Sequence, residues 1–208
     1  MKISLDLIKK LREKTGISIK ECKTALEEAT RLCSASAELR RSKEGILEKA
    51  TEILRKKGEQ VMALKATRET KSGMIEAYIH QDRKQAAIIK LLCETDFVAK
   101  NEEFKQLAHD LAMQVVALKP RWILPDQIPS EIIEKEKEIY LKKIDKNKPA
   151  AVKEKIIQGK IEKFYKETCL LKQPFIKDEN LSIEELIASY VNKLGEKIEV
   201  GEFVKFEI

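Results

Sequence analysis

Apolar residues recur at helical spacing through the first part of the chain. Leu7, Ile8 and Leu11 share one side of a segment that Ser4 can cap. Thr15-Gly16 interrupts it, and Ser18-Ile19-Lys20-Glu21 fits a capping box with Glu21 at the third helical position. Cys22, Ala25, Leu26 and Ala29 follow at i, i+3, i+4 and i+7, which makes one buried face. Residues 30 to 43 are polar and small, with no clear period. A third helix carries Ile46, Ala50, Ile53 and Leu54. Arg55-Lys56-Lys57 and then Gly58 read as its end, because cations and glycine suit a helix C-terminus. Residues 1–58 are therefore predicted to form a compact helical module.

The period changes after a polar connector, residues 59–72. Ile75, Ala77 and Ile79 alternate with Glu76, Tyr78 and His80, which predicts a strand with one wet face. Gln81-Asp82-Arg83-Lys84 is a turn, and Ala86 to Cys93 is a second, more apolar strand of an antiparallel hairpin. A long helix then carries Phe104, Leu107, Ala108, Leu111, Ala112 and Val115, with Asn101, Glu102 and Glu103 at its start. Pro120, Pro125 and Pro129 bound a loop around Trp122. Two charged helices joined near Asn147-Lys148-Pro149 make a helical hairpin over about residues 130–171. Gln173-Pro174-Phe175-Ile176 breaks helix. Ser182-Ile183-Glu184-Glu185 starts another, closed by Gly195. The last segment alternates again, with Val204, Phe206 and Ile208 opposite Lys205 and Glu207, and returns to the sheet as a third strand. The fold class is α+β: a helical module at 1–58, then a core at 59–208 in which a small antiparallel sheet packs with helices and a helical hairpin protrudes.

Charge modifies this picture little. Charged residues make up 37% of the 208, and the net charge is +6. Solvated helix faces account for the excess over the usual quarter. Cys22, Cys33, Cys93 and Cys169 are scattered, and His80 and His109 are the only histidines. Reduced, packed thiols are expected, and no metal site. No segment is apolar over the roughly 18 residues of a membrane span, and Asp6 comes too early for a secretory leader. An intracellular, cytoplasmic protein is expected. No phosphate loop, metalloprotease or nucleophile-elbow pattern is present, so no cofactor and no enzymatic chemistry are expected. Aromatics are 5%, without a basic-aromatic stripe for stacking bases.

Two segments narrow the function. Leu11 to Leu26 (LREKTGISIKECKTAL) resembles the N-terminal signature of the elongation factor Ts family. Cys93-Glu94-Thr95-Asp96-Phe97-Val98-Ala99-Lys100-Asn101 resembles its central signature, in the same order and spacing. Glu134 to Tyr140, Lys160 to Tyr165 and Leu170 to Phe175 look like later landmarks of the family, so the likeness covers nearly the whole chain. The family resembled is the bacterial one, in its short form with a single core repeat.

The resemblance implies that the first module is ubiquitin-associated-like. It implies a guanine nucleotide exchange factor that promotes GDP release from elongation factor Tu, with no direct nucleic-acid contact. Asp96 and Phe97, flanked by Thr95 and Val98, would enter near the partner's phosphate and magnesium site. Arg12, Ile19 and Lys23 would hold its nucleotide domain, and the region of Phe175 and Ile176 would brace another domain. Short members can work as dimers, so a homodimer or a 2:2 complex is an expectation.

Other readings stay open at single positions. Asp96 can serve as a helix N-cap, Arg12 and Lys23 as solvated charges, and Ile19 as a staple between the first two helices. The helical hairpin can be a dimerisation arm, a partner contact or scaffold. The chain departs from the family pattern at residues 30–45, which look inserted. It also departs at Lys90, Leu92 and Gln114, and at Val204, where some short relatives carry a cysteine that links two subunits. A basic helical protein that binds RNA or the ribosome through clusters such as Arg55-Lys56-Lys57 is the alternative function.

Overall fold

The computed structural model describes residues 3–33, 43–144 and 149–208. Most of the segment expected as an insertion, residues 34–42, and the turn residues Asn147 and Lys148 lie outside them. Two compact units emerge. One comprises Met1–Gly73, Leu92–Asn101 and Glu185–Glu199; the other comprises Met74–Leu91, Glu102–Glu184 and Val200–Ile208.

In the first unit, helices α1 (Leu5–Thr15), α2 (Ile19–Cys33) and α3 (Lys43–Lys65) close on one core. That core holds Ile8, Leu11, Cys22, Ala25, Leu26, Ala29, Ile46, Ala50, Ile53 and Leu54, all expected from periodicity, and adds Ile17, while the expected Leu7 is only half-buried against it. Ser18 caps α2: the Glu21 N–H donates to Ser18 Oγ at 3.3 Å, and the Ser18 hydroxyl donates to the Glu21 carboxylate at 2.7 Å. Ile17, just before the cap, is buried, and the Cys22 thiol lies 3.6 Å from its carbonyl. The staple at this helix start is thus Ile17 with Cys22, while Ile19 points outward.

Two boundaries differ from expectation. α2 runs on to Cys33, and α3 does not stop at Gly58 but continues to Lys65. Gly58 is there for proximity. A Cβ on it would sit 3.3 Å from the Ala188 carbonyl oxygen, so α8 (Ile183–Leu194) passes close to its backbone. The charges of that turn also have uses. Arg55 pairs with Glu185, Lys56 with Glu52, and Lys57 with Glu28.

The second unit is built on a three-stranded antiparallel sheet in the order β1 (Ser72–Ile79), β2 (Gln85–Cys93), β5 (Ile198–Glu207). The turn closes through His80 N–H to the Gln85 carbonyl, and Ile208 N–H reaches the Lys84 carbonyl. On β2, Ala87, Ile89, Leu91 and Cys93 are buried. The burial of β1 is inverted from expectation. Ile75 and Ile79 are 68% and 66% exposed, while Glu76 and Tyr78 face inward. The cause is α5 (Glu102–Leu118), whose His109 meets Glu76 at 3.1 Å and the Tyr78 ring edge-on. A polar pair thus occupies the face that the isoleucines were expected to fill. Val204 and Phe206 on β5 and Ile88 on β2 are also exposed, so the outward face of the sheet carries open apolar residues together with Lys90.

Every residue of the expected α5 stripe is buried, and so are Asp110 and Gln114. The helical hairpin forms from α6 (Ser130–Lys143) and α7 (Ala150–Thr168). Its root packs Ile128, Phe164 and Cys169 with Trp122, Ile132, Ile133 and Tyr165. A small hairpin unseen in the sequence, β3 (Pro174–Phe175) with β4 (Asp178–Ser182), follows a one-turn 3-10 helix at Leu170–Lys172. The polar run of β4 carries no alternation to read. The short helix α4 (Asp96–Ala99) completes the set.

Gly58 yields a test. Gly58→Ala gains about 1 kcal/mol of helix propensity and spends it against the Ala188 carbonyl, so urea unfolding should change little. Gly58→Leu should lose about 1–3 kcal/mol through overpacking.

Candidate functional site

The central motif sits where β2 gives way to α4. Thr95 has extended backbone (φ −131°, ψ 156°) and is the cap residue; Asp96 is the first helical residue, not the cap. The Thr95 hydroxyl does not cap the helix. It donates to Glu196 Oε1 at 2.6 Å. Glu196 Oε2 accepts from the Thr95 N–H at 2.9 Å and the Glu94 N–H at 3.1 Å. A single carboxylate therefore holds three donors of the junction. Hydrogen bonds to an ionised acceptor are about twice as strong as neutral ones.

A second carboxylate crosses back. Glu94 Oε1 accepts from the Lys197 N–H at 2.7 Å, and Arg68 Nη1 lies 3.3 Å from both Glu94 oxygens. The Lys197 ammonium donates to the Arg68 carbonyl at 3.0 Å. The Lys197 N–H, then Arg68, hold the Glu94 carboxyl below its usual range. Under the junction, the Cys93 thiol donates to the Thr95 carbonyl at 3.2 Å. Burial, then the Glu196 charge, pushes this thiol up to about 11, so it stays protonated and unreactive at neutral pH.

On this anchored turn Phe97 is 89% exposed. Thr95 and Asp96 are exposed, and Val98 is half-buried. A large ring open to water contributes nothing to the core, and no packing requirement explains it.

The other candidates occupy separate places. Arg12 on α1 and Lys23 on α2 are exposed, with Lys23 4.0 Å from Glu27; Ile19 opens α2 and is 55% exposed. In the second unit Phe175 is buried and Ile176 half-buried. Their segment is fixed by two buried amides. Gln114 donates to the Gln173 side-chain oxygen (3.2 Å) and the Pro174 carbonyl (3.0 Å), and accepts from the Ile176 N–H (3.0 Å). Gln173 donates to the carbonyls of Leu118 and Glu167.

With an exposed aromatic held on a carboxylate-braced turn, comparison with known proteins becomes informative. The sequence model of one family, Elongation factor TS, matches residues 14–208. The chain belongs to the elongation factor Ts family. Elongation factor Ts of Thermodesulfovibrio yellowstonii is 49% identical over 208 residues, covering 100% of this chain and 97% of that protein. Elongation factor Ts of Thermotoga maritima is 47% identical over 208 residues (100% and 97%), and that of Fervidobacterium nodosum 46% over 209 residues (100% and 99%). Membership in the elongation factor Ts family makes the chain a translation elongation factor. Among the described residues no helix is long and apolar enough to cross a membrane.

Sequence reasoning did not find Glu196, Lys197 and Arg68. Their partners lie up to 129 positions away, and a Glu-Lys pair after a helix-ending glycine is an ordinary surface pattern.

The Cys93 environment gives a test at peptide level. At pH 8 the native protein should leave Cys93 unlabelled by iodoacetamide, and denaturant should expose it. The sign of the linkage follows. A thiol raised in the folded state contributes stability below its unfolded value of 9.0 and loses it as pH climbs through about 11.

Proposed function

We propose that this factor promotes GDP release from elongation factor Tu, with Phe97 as the inserted group. The observation that carries the reading is the 89% exposure of that ring on a turn braced by Glu196. The family relationship supports it, since the central motif of the resemblance contains this residue. No covalent step is involved, so the chain acts by binding and is not an enzyme. It works in the cytoplasm, where its partner works.

The physics is linkage. A GTPase grips GDP through loop amides and a magnesium ion. If Phe97 fits only after those loops move, docking the ring weakens the nucleotide's contacts, and GDP weakens factor binding by the same factor. Typical couplings of about 1–3 kcal/mol give only 5–150-fold, so an efficient factor needs more than one contact. Arg12, Ile19 and Lys23 on α1 and α2, and the Pro174–Ile176 segment, are the further contacts we assign to the partner. Asp96 can accept hydrogen bonds from the displaced loops.

The alternative of RNA or ribosome binding loses its strongest feature. Arg55, Lys56 and Lys57 are each matched by a glutamate of the same unit. A cluster so paired offers little free charge to phosphates.

The reading extends to assembly. The open apolar sheet face of Ile75, Ile79, Val204 and Phe206 is the surface we assign to a homodimer, within a 2:2 complex. Large apolar side chains gathered in water on one sheet face are characteristic of protein interfaces.

Two experiments follow. GDP release from purified elongation factor Tu should accelerate with this chain. Phe97→Ala should lose about 2–4 kcal/mol of that effect, roughly 30- to 1,000-fold, with unchanged thermal unfolding. No acceleration by the unaltered chain overturns the exchange reading. In sedimentation equilibrium the chain should be dimeric, and Ile75→Lys with Phe206→Lys should make it monomeric. A monomeric unaltered chain overturns the dimer.

A further inference from the structure

The Phe97 side chain is almost wholly in water, so the backbone of α4 sets the direction of its ring. α4 is a single turn of four residues. An isolated turn is unstable, because several dihedral angles are fixed for one hydrogen bond. The order of this segment must come from outside it.

Glu196 supplies that order from the far end of the chain. α8 ends at Gly195, whose left-handed conformation (φ 77°) redirects the backbone after Leu194. The Gly195 N–H still bonds the Val191 carbonyl at 3.0 Å, and Lys65 donates to the Gly195 carbonyl. Residues 196 and 197 are thereby delivered to the junction. The Glu196 carboxylate accepts from two successive backbone N–H groups and the Thr95 hydroxyl, while Glu94 accepts from the Lys197 N–H in the opposite sense. Two carboxylates pointing in opposite directions between the same pair of segments resist both separation and sliding. A single bond would allow the turn to pivot.

We infer that Glu196 is a positioning residue for Phe97: by binding the amides of residues 94 and 95 and the Thr95 hydroxyl, it holds the junction from which the ring meets the partner. The functional half of this inference rests on the exchange reading; the structural half rests on the geometry alone. Glu196 need not touch the partner. Its effect is to order the ring before docking, so that less ordering entropy is lost on binding.

The test uses the full chain with Glu196→Ala, Glu196→Gln, Phe97→Ala and the double variant Glu196→Ala/Phe97→Ala. Amide hydrogen exchange over residues 94–101 should be about tenfold faster or more in Glu196→Ala, with the amides of α1 and α2 unaffected. The factor concentration giving half-maximal GDP release should rise about tenfold, while the release rate at saturation falls less than about threefold, because a docked ring acts as before. Glu196→Gln should restore most of the loss. Its amide oxygen still accepts from the backbone, and its NH2 can donate to the Thr95 oxygen. In binding to nucleotide-free elongation factor Tu, Glu196→Ala should cost much less in the Phe97→Ala background than in the unaltered chain, since only the Asp96 contact of that turn is left to misplace; a general structural defect would cost the same in both. Unchanged amide exchange at the junction overturns the inference. So does an equal loss of affinity with and without Phe97. If the unaltered chain fails to stimulate release, the exchange reading falls, and amide exchange alone then decides whether Glu196 holds the junction.

Discussion

A side chain that packs against nothing can be aimed only by its backbone. That constraint governs this molecule. Phe97 leaves 89% of its surface in water, and the turn beneath it is too short to hold itself. The surrounding arrangement supplies what the turn lacks. Glu196 accepts from the Glu94 and Thr95 N–H groups, Glu94 accepts in return from the Lys197 N–H, Arg68 pairs with Glu94, and Cys93 seals the underside as a buried, protonated thiol. Charge-assisted bonds to backbone amides suit this purpose. They fix main-chain geometry without covering the ring.

The same economy appears in the second unit with neutral groups. Gln114 and Gln173 are fully buried, and each finds several partners among carbonyls and amides. A buried amide left unpaired would cost about 1–3 kcal/mol, so the pair tolerates only the backbone path that satisfies it. That path is the Pro174–Ile176 segment. Both candidate contact segments are thus set by polar groups aimed at the main chain.

Periodicity exposed the helices because one side of each is uniformly apolar. The stripes of α2, α3 and α5 in the sequence are the buried residues of the structure. Reading failed where a residue serves a distant neighbour. Gly58 looks like a helix end and is a close-packing position against Ala188. Ile75 and Ile79 look like core, yet His109 draws Glu76 and Tyr78 inward. β4 has a polar sequence and is a strand through its pairing with β3. At the candidate site the exposed ring was legible from the resemblance, whereas its support was not. Glu196 has no local signature, since its meaning depends on a contact across 101 positions.

That separation bears on how the protein comes into being. Strand β5 and the two residues before it are made some hundred residues after the central turn, yet they complete both the sheet and the bracing of that turn. Long-range pairings of this kind form slowly and cannot form at all until the later partner has been synthesised. While its own message is still being translated, the nascent factor therefore carries an unfinished tip. Competence for elongation work waits until residues 196–207 have been made and have paired with the middle of the chain.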